Sequence, residues 1–391
     1  MVFATVFLDL VGFGIVIPLL PLYAQRFGAG PVAVTWLVAV YSLMQFFFAP
    51  WWGRLSDRVG RRPILLLGLF GSALSYLAFG LAPSLTVLFA ARILAGVMSA
   101  HIGVAQAYVA DVTPPEKRAR GMGMIGAAFG LGFIFGPAIG GVLAHYGPAV
   151  PFLGASLLTA VNGVVAVFRL PESLPLHLRG TPQAESRPGL GARLGVLFGR
   201  ATGGRLRALY ATSFLVTAAF AAVEATLSLW TDRRWHFTPA QVAYFFAYLG
   251  IVAVLAQGLI VHRLVKRVGE RTTARMGLVL LAASLVAIPL APTHALLAVA
   301  GAMFALGQGA VIPAVSSLIS RQGGPTEQGR LLGASQSLSA LGRVLGPAWG
   351  GIAFARIGIG APALSGAALA AVALAVLSAG SSAAPVPGVD A

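Results

Sequence analysis

Cysteine is absent from these 391 residues, and acid is scarce, with 11 Asp and Glu against 27 Lys and Arg. Without cysteine there is no disulfide framework and no thiolate metal site. The shortage of charge excludes more. Charged residues make up 10% and hydrophobic ones 58%, with a mean hydropathy of +0.86, and soluble globular domains do not carry that balance. The two-residue alternation of a membrane β-barrel strand is also missing. No basic stretch or small-residue cleavage site precedes the first apolar run, so that run is expected to stay as a helix. What remains is a polytopic helical membrane protein.

A net charge of +16 invites a nucleic-acid partner, so the placement of the charge decides. Of the 27 Lys and Arg, 21 fall in the segments 53–62, 111–120, 169–207, 263–275 and 321–330. Arg26, Arg233, Arg234 and Arg356 lie in the alternate loops, and Arg92 and Arg343 lie within apolar runs. Basic residues gathered in every second loop orient a membrane protein, and nucleic acid is excluded as a partner. Apolar runs of about twenty residues, enough to cross a bilayer, predict twelve helices with both termini cytoplasmic. The expected division is a six-helix bundle at 1–169, a cytoplasmic linker at 170–207, a second bundle at 208–380 and a cytoplasmic tail at 381–391. In the linker, Leu190, Leu194, Leu197 and Phe198 are spaced for a short surface helix.

The two bundles repeat one another. Arg54, Leu55, Arg58, Val59, Gly60 and Arg62 recur 209 residues later as Arg263, Leu264, Arg267, Val268, Gly269 and Arg271. Asp57 and Arg61 are answered instead by Lys266 and Glu270. Gly132, Gly136-Pro137 and Gly140-Gly141 return 210 residues on as Gly342, Gly346-Pro347 and Gly350-Gly351. Duplicated six-helix units place a binding site between bundles near the bilayer midplane. Residues 53–62 form a charged island between apolar runs, expected to be a tight turn at the membrane face, with Pro63 in the first turn of the next helix.

That island, Gly53-x3-Asp57-Arg58-x-Gly60-Arg61-Arg62, resembles the loop between helices 2 and 3 of the major facilitator superfamily. Gly123-x8-Gly132-x3-Gly136-Pro137-x2-Gly140-Gly141 resembles the antiporter motif of the same superfamily. Leu8-Asp9-x2-Gly12-x-Gly14, Arg92-x3-Gly96, and Ala107 to Thr113 running on to Arg118-Ala119-Arg120 are similar to the drug:proton antiporters, and most of all to the tetracycline efflux proteins and their relatives. The resemblance implies the twelve-helix, all-α fold, a bacterial inner (plasma) membrane location, and gating roles for Gly53, Asp57, Arg58, Gly60, Arg61 and Asp111, with Arg61 pairing with Asp111. It also implies a conformational seam at Gly132, Gly136, Pro137, Gly140 and Gly141. One departure stands out: Ser75-Tyr76 occupies the place of an Asp-Tyr pair in the tetracycline exporters, which weighs against tetracycline as substrate.

Only Asp9 and Glu224 among the carboxylates lie inside apolar spans. Intramembrane charge is costly and faces the bundle interior, and burial or a nearby arginine tunes its proton affinity. Asp9, Arg92 and Glu224 are therefore the candidate proton-coupling residues. Asp9 reads equally as a brace on Arg92, and Arg343 is a candidate partner for Glu224 or for an anionic substrate group. Tyr41, Gln45, His101, Gln106, Asn162, Gln257, Gln308, Gln336 and Arg343 are candidate cavity residues; a largely apolar cavity with a few amides suits amphipathic small molecules, though each is also plausible interhelical glue. No residues are spaced to ligate a metal, no nucleophile–base pair occurs, and neither an enzyme nor a cofactor is expected. The expectation is a monomeric secondary transporter exchanging small amphipathic compounds for protons. Its rivals are a facilitator-type or organic-anion carrier on the same fold, and a non-transporting membrane scaffold or receptor.

Overall fold

In the computed structural model the chain is described at residues 2–99, 101–114, 118–176, 179, 203–323 and 328–379. The expected surface helix in the linker and the tail from 381 lie outside these residues. All regular structure among the described residues is helical. The helices are α1 (Val2–Gln25), α2 (Pro31–Val59), α3 (Arg61–Gly80), α4 (Leu85–Ser99), α5 (Ile102–Val112), α6 (Arg118–Ala144) and α7 (Val150–Arg169). After the linker come α8 (Gly204–Trp235), α9 (Pro239–Leu255), α10 (His262–Leu290), α11 (His294–Ser320), α12 (Gln328–Arg356) and α13 (Ala361–Ala379). A π-helical turn, Ala256–Val261, joins α9 to α10. They make the twelve crossings of the expected fold, the fourth shared by α4 and α5, the eighth by α9, the π turn and the start of α10.

One local expectation is sharpened: the tight turn expected at 53–62 is shorter than the island, because α2 stays helical to Val59 and α3 starts at Arg61. Gly60 alone reverses the chain, at φ 109, a conformation that favours residues without a Cβ. Gly269 does the same inside α10, at φ 80. At His101 the fourth crossing departs from regular α-helix. The His101 N–H closes a tight bond on the Met98 carbonyl at 3.4 Å, and the imidazole takes the same carbonyl, so the regular i to i+4 ladder is interrupted there.

The chain gathers into two compact units. One contains α1 to α7 together with Glu224–Ile251 and Pro347–Ile359. Its core is a cluster around Leu10, Leu69, Val104, Tyr108 and Leu170, with the Trp52 indole donating to the Val97 carbonyl at 2.7 Å. The expected glycine seam is present in it as backbone-to-backbone packing of α6 on α1. A Cβ on Gly136 would sit 2.6 Å from Gly14 Cα, and one on Gly132 2.8 Å from Leu10 Cβ. Close approach of this kind substitutes for the hydrophobic drive that lipid removes. Within the same unit, at the ends away from the basic loops, Ser228 donates to the Pro18 carbonyl at 3.0 Å. Also there, Tyr244 lies against Gly141, and nearer the middle of the helices Gly250 lies against the Phe133 carbonyl.

The other unit holds α8 up to Val223, Val252–Gly346 and the chain from Gly360. Here the repeated seam packs α12 on α8, where a Cβ on Gly342 would meet the Phe214 carbonyl at 3.0 Å. Gly277 and Gly307 bring α10 and α11 together in the same way, and Phe220 stacks on Phe304 with centroids 5.3 Å apart.

Candidate functional site

The polar residues of the first unit form a connected line. At one end His101, 4% exposed, meets Asp9, 6% exposed. Its Nδ1 lies 2.7 Å from the Met98 carbonyl, which can only accept, so Nδ1 carries a hydrogen. Nε2 then faces Asp9 Oδ2 at 3.4 Å. That contact is attractive only with a proton in it, as acid to imidazole or carboxylate to imidazolium. Without the proton a carboxylate faces a lone pair. The other Asp9 oxygen is buried with no hydrogen-bond partner. A narrow cavity beside the pair is lined by Thr5, Leu65, Leu69 and Leu170. Gly68 makes room for the ring: a Cβ there would lie within 2.5 Å of His101 Cγ.

Tyr76, 4% exposed, stands next in the line, within electrostatic reach of Asp9, Tyr41 and Arg92. The expected Asp9–Arg92 brace is therefore replaced by an indirect arrangement. Arg92, 3% exposed, donates through Nε to the Leu37 carbonyl at 2.9 Å. Its guanidinium lies 4.3 Å over the Tyr41 ring, and its Nη1 is buried without a hydrogen-bond partner. Tyr41 in turn stacks on Phe13 with centroids 5.2 Å apart, and Gln45 donates to the Tyr41 hydroxyl at 3.3 Å and to Ser99 at 3.2 Å. Glu224 is close enough to act electrostatically on Arg92, so the second carboxylate joins the first half's polar line.

Other candidates have different settings. Asn162 donates to the Thr5 carbonyl at 2.8 Å and is 3% exposed, which makes it a strut between α1 and α7 rather than a cavity residue. Gln106, Gln257 and Gln336 are exposed, Gln257 within the π turn. Arg343 and Gln308 are half-buried, and the Gln308 Oε1 atom is buried without a partner. Ser75, the departure from the tetracycline exporters, bonds to the Gly71 carbonyl of its own helix at 2.7 Å and is fully buried.

The residues of the 53–62 island and Asp111 form a second cluster at the basic end. Arg61 pairs with Asp111 at 3.1 Å, as expected, and also holds Asp57 and the Ser56 hydroxyl. Gly53 is buried there, and Arg58 is exposed. The unexpected member is Glu172, just past α7. Its carboxylate accepts the Arg61 backbone N–H at 2.8 Å, the Arg62 N–H at 3.2 Å, and the N–H groups of Ser173 and Leu174. Unpaired N–H groups and the helix dipole make the start of α3 a natural seat for a carboxylate. Ser173 then donates to Asp111 at 3.1 Å, joining the two acids. No spacing in the sequence pointed to Glu172, because the partner lies 111 residues away.

A sequence profile of the Major Facilitator Superfamily matches residues 2–347 and, again, 209–388. The chain is 34% identical over 350 residues to the class C tetracycline resistance protein of Escherichia coli, covering 88% of this chain and 87% of that protein. It is 31% identical over 357 residues to multidrug resistance protein 2 of Bacillus subtilis, covering 90% and 87%. Among solved structures, the human organic anion transporter MFSD10 (TETRAN) is 28% identical, with a TM-score of 0.72 over 96% of this chain and 97% of that one. By profile, by relatives and by the twelve crossings with their repeated glycine seams, the chain belongs to the Major Facilitator Superfamily, a family of transporters and not of enzymes.

Proposed function

We propose that the chain exports small amphipathic compounds in exchange for protons by alternating access, the bundles 1–169 and 208–380 rocking about a midplane site. The observation that carries it is the Asp9–His101 contact: two buried titratable groups, 3.4 Å apart, with the ring's other nitrogen committed to a carbonyl. Such a pair holds together with one shared proton and separates without it. Tyr76 and Arg92 carry the change along the line towards Glu224. The contacts of α8 and α9 with α1 and α6 at the ends away from the basic loops are those of a gate closed on the outer side, with the glycine seam as part of it. The kinship with multidrug and tetracycline resistance proteins supports an amphipathic substrate. Ser75, satisfied within its own helix, argues against tetracycline itself.

The test uses purified protein in vesicles, with a panel of cationic and neutral amphipathic dyes. Asp9→Asn fixes a neutral, protonated-like state. Efflux driven by a pH gradient is expected to fall to the level of empty vesicles, while exchange without a gradient survives. Glu224→Gln is expected to cost cationic dyes more than neutral ones. Gradient-driven efflux unchanged in both variants overturns proton coupling at this site. A second reading, organic-anion transport, rests on the unpartnered Nη1 of buried Arg92 and on the likeness to MFSD10. Anionic dye flux that ignores the gradient and vanishes in Arg92→Gln selects it.

A further inference from the structure

The first half seats a carboxylate over the start of α3; the matching place in the second half has none among the described residues. Gly269 answers Gly60, and Arg271 answers Arg62, both at an offset of 209. Arg62 donates to the Val167 carbonyl at 2.5 Å, and Arg271 to the Leu377 carbonyl at 2.8 Å, 210 residues on. Each leaves its Nε without a partner. The two corners share a backbone plan but differ in what lies over them. A Cβ on Gly60 would collide with Glu172, whereas one on Gly269 would meet no described atom within 4 Å. Two hundred and ten residues after Glu172 the sequence has Ser382, not an acid.

Positive charge accumulates there instead. A cavity opens at this end, lined by Arg205, Ala208, Leu209, Arg271, Leu318 and Leu377. Arg205 is exposed and Arg271 and Arg275 half-buried. Both Arg205 and Arg275 act electrostatically on Arg271, and Arg275, like Arg271, has a buried Nε with no partner. Arg275 answers Leu66 of the first half, so the second half has added a cation where it has lost an anion. The one acid near in sequence, Glu270, is engaged by Arg321 and by Ser317. Crowding like charges on half-buried groups without an anion is costly, and basic pockets between transmembrane helices on the cytoplasmic side take anionic headgroups.

We propose that this cavity binds a phosphate-bearing anion, from an anionic phospholipid headgroup or from free phosphate, with Arg205 and Arg271 in its wall and Arg275 within electrostatic reach of Arg271. The anion fills the role that Glu172 fills in the first half, neutralising the guanidinium groups at the start of the ninth crossing. Leu209, Leu318 and Leu377 give the cavity an apolar side.

The experiment uses the whole protein, delipidated in detergent, with phosphatidylglycerol, phosphatidylcholine or inorganic phosphate added back. Melting temperature and native mass spectrometry are the readouts. A ligand that binds only the folded state raises the melting temperature with its concentration, so phosphatidylglycerol is expected to raise it by several degrees and to be retained as a discrete adduct. Phosphatidylcholine is expected to do neither. Inorganic phosphate reproducing the rise without lipid assigns the site to the free anion. Arg205→Gln/Arg275→Gln is expected to weaken the response about tenfold or more in apparent affinity. Arg205→Gln alone, at an exposed position, provides a variant whose folding is not in question. Equal phosphatidylglycerol and phosphate responses in wild type and in both variants overturn the proposal, as does a wild-type response to neither.

Discussion

The corner between α2 and α3 and the break at Gly269 in α10 are two copies of one sequence, built to different strengths. Both reverse the chain on a glycine of positive φ. Both carry an ion pair from the first residue of the new helix to the end of a neighbouring one, but the polarity is exchanged. Arg61 reaches Asp111 in the first copy, and Glu270 reaches Arg321 in the second, at offsets of 209 and 210. The joint thus requires an ion pair at that place, and either order of charges closes it. Surroundings separate the copies. Arg61 is 6% exposed and tied to Ser56, Asp57 and Asp111, with Glu172 over its backbone. The Arg321 side chain is 66% exposed. One joint is a sealed network and the other an open one with spare cations.

Removing the cation of each pair should separate the copies most. Arg61→Ala breaks the buried Arg61–Asp57 pair, 6% and 5% exposed, a defect of about 3–5 kcal/mol. Arg321→Ala breaks a largely exposed pair and should cost no more than about 1 kcal/mol. Thermal melts of purified protein measure both, and equal losses would erase the distinction. The same comparison sharpens with a transplant. Arg61→Glu with Asp111→Arg should remain unstable, because Asp57 then faces a like charge. Adding Asp57→Lys, to copy Lys266, should recover about 1–3 kcal/mol of coupling.

The two glycines come next. An L-residue in the left-handed region costs about 1–2 kcal/mol, so Gly269→Ala should lose about that much. Gly60→Ala must in addition push Glu172 off the start of α3, and should cost roughly twice as much. Matching melts for the two would mean that Glu172 yields freely. An effect as small as that of Arg321→Ala is expected from Glu172→Gln, which keeps an acceptor but removes the charge from the helix start, about 1 kcal/mol. That difference should shrink as salt is raised. A salt-independent loss would place the effect in shape rather than charge.

Much of this molecule is written along the chain. Crossings follow from apolar length, and the duplication from residues that recur at a fixed offset. Arg61–Asp111 was legible because both residues sit in recognisable family motifs. Glu172 was not, since a carboxylate after a helix looks like any loop acid until the fold carries it to the start of α3. The same holds for Asp9. Its isolation in an apolar span marked it as costly, and the sequence offered Arg92 as one partner, whereas the fold supplied His101.

The physical division follows from range. Hydropathy, helix length, charge bias and glycine spacing are sums over neighbouring residues, so the sequence by itself determined an all-helical, twelve-crossing, duplicated membrane protein. Which polar groups meet depends on helix rotation and on breaks of one residue. The turn at His101 re-aims an imidazole towards Asp9, and the absence of a side chain at Gly68 gives it space. One glycine, not a ten-residue loop, makes the α2–α3 corner. Those choices were left to tertiary packing, because in a bilayer an unmatched polar group finds no water and the helices settle where such groups are shared.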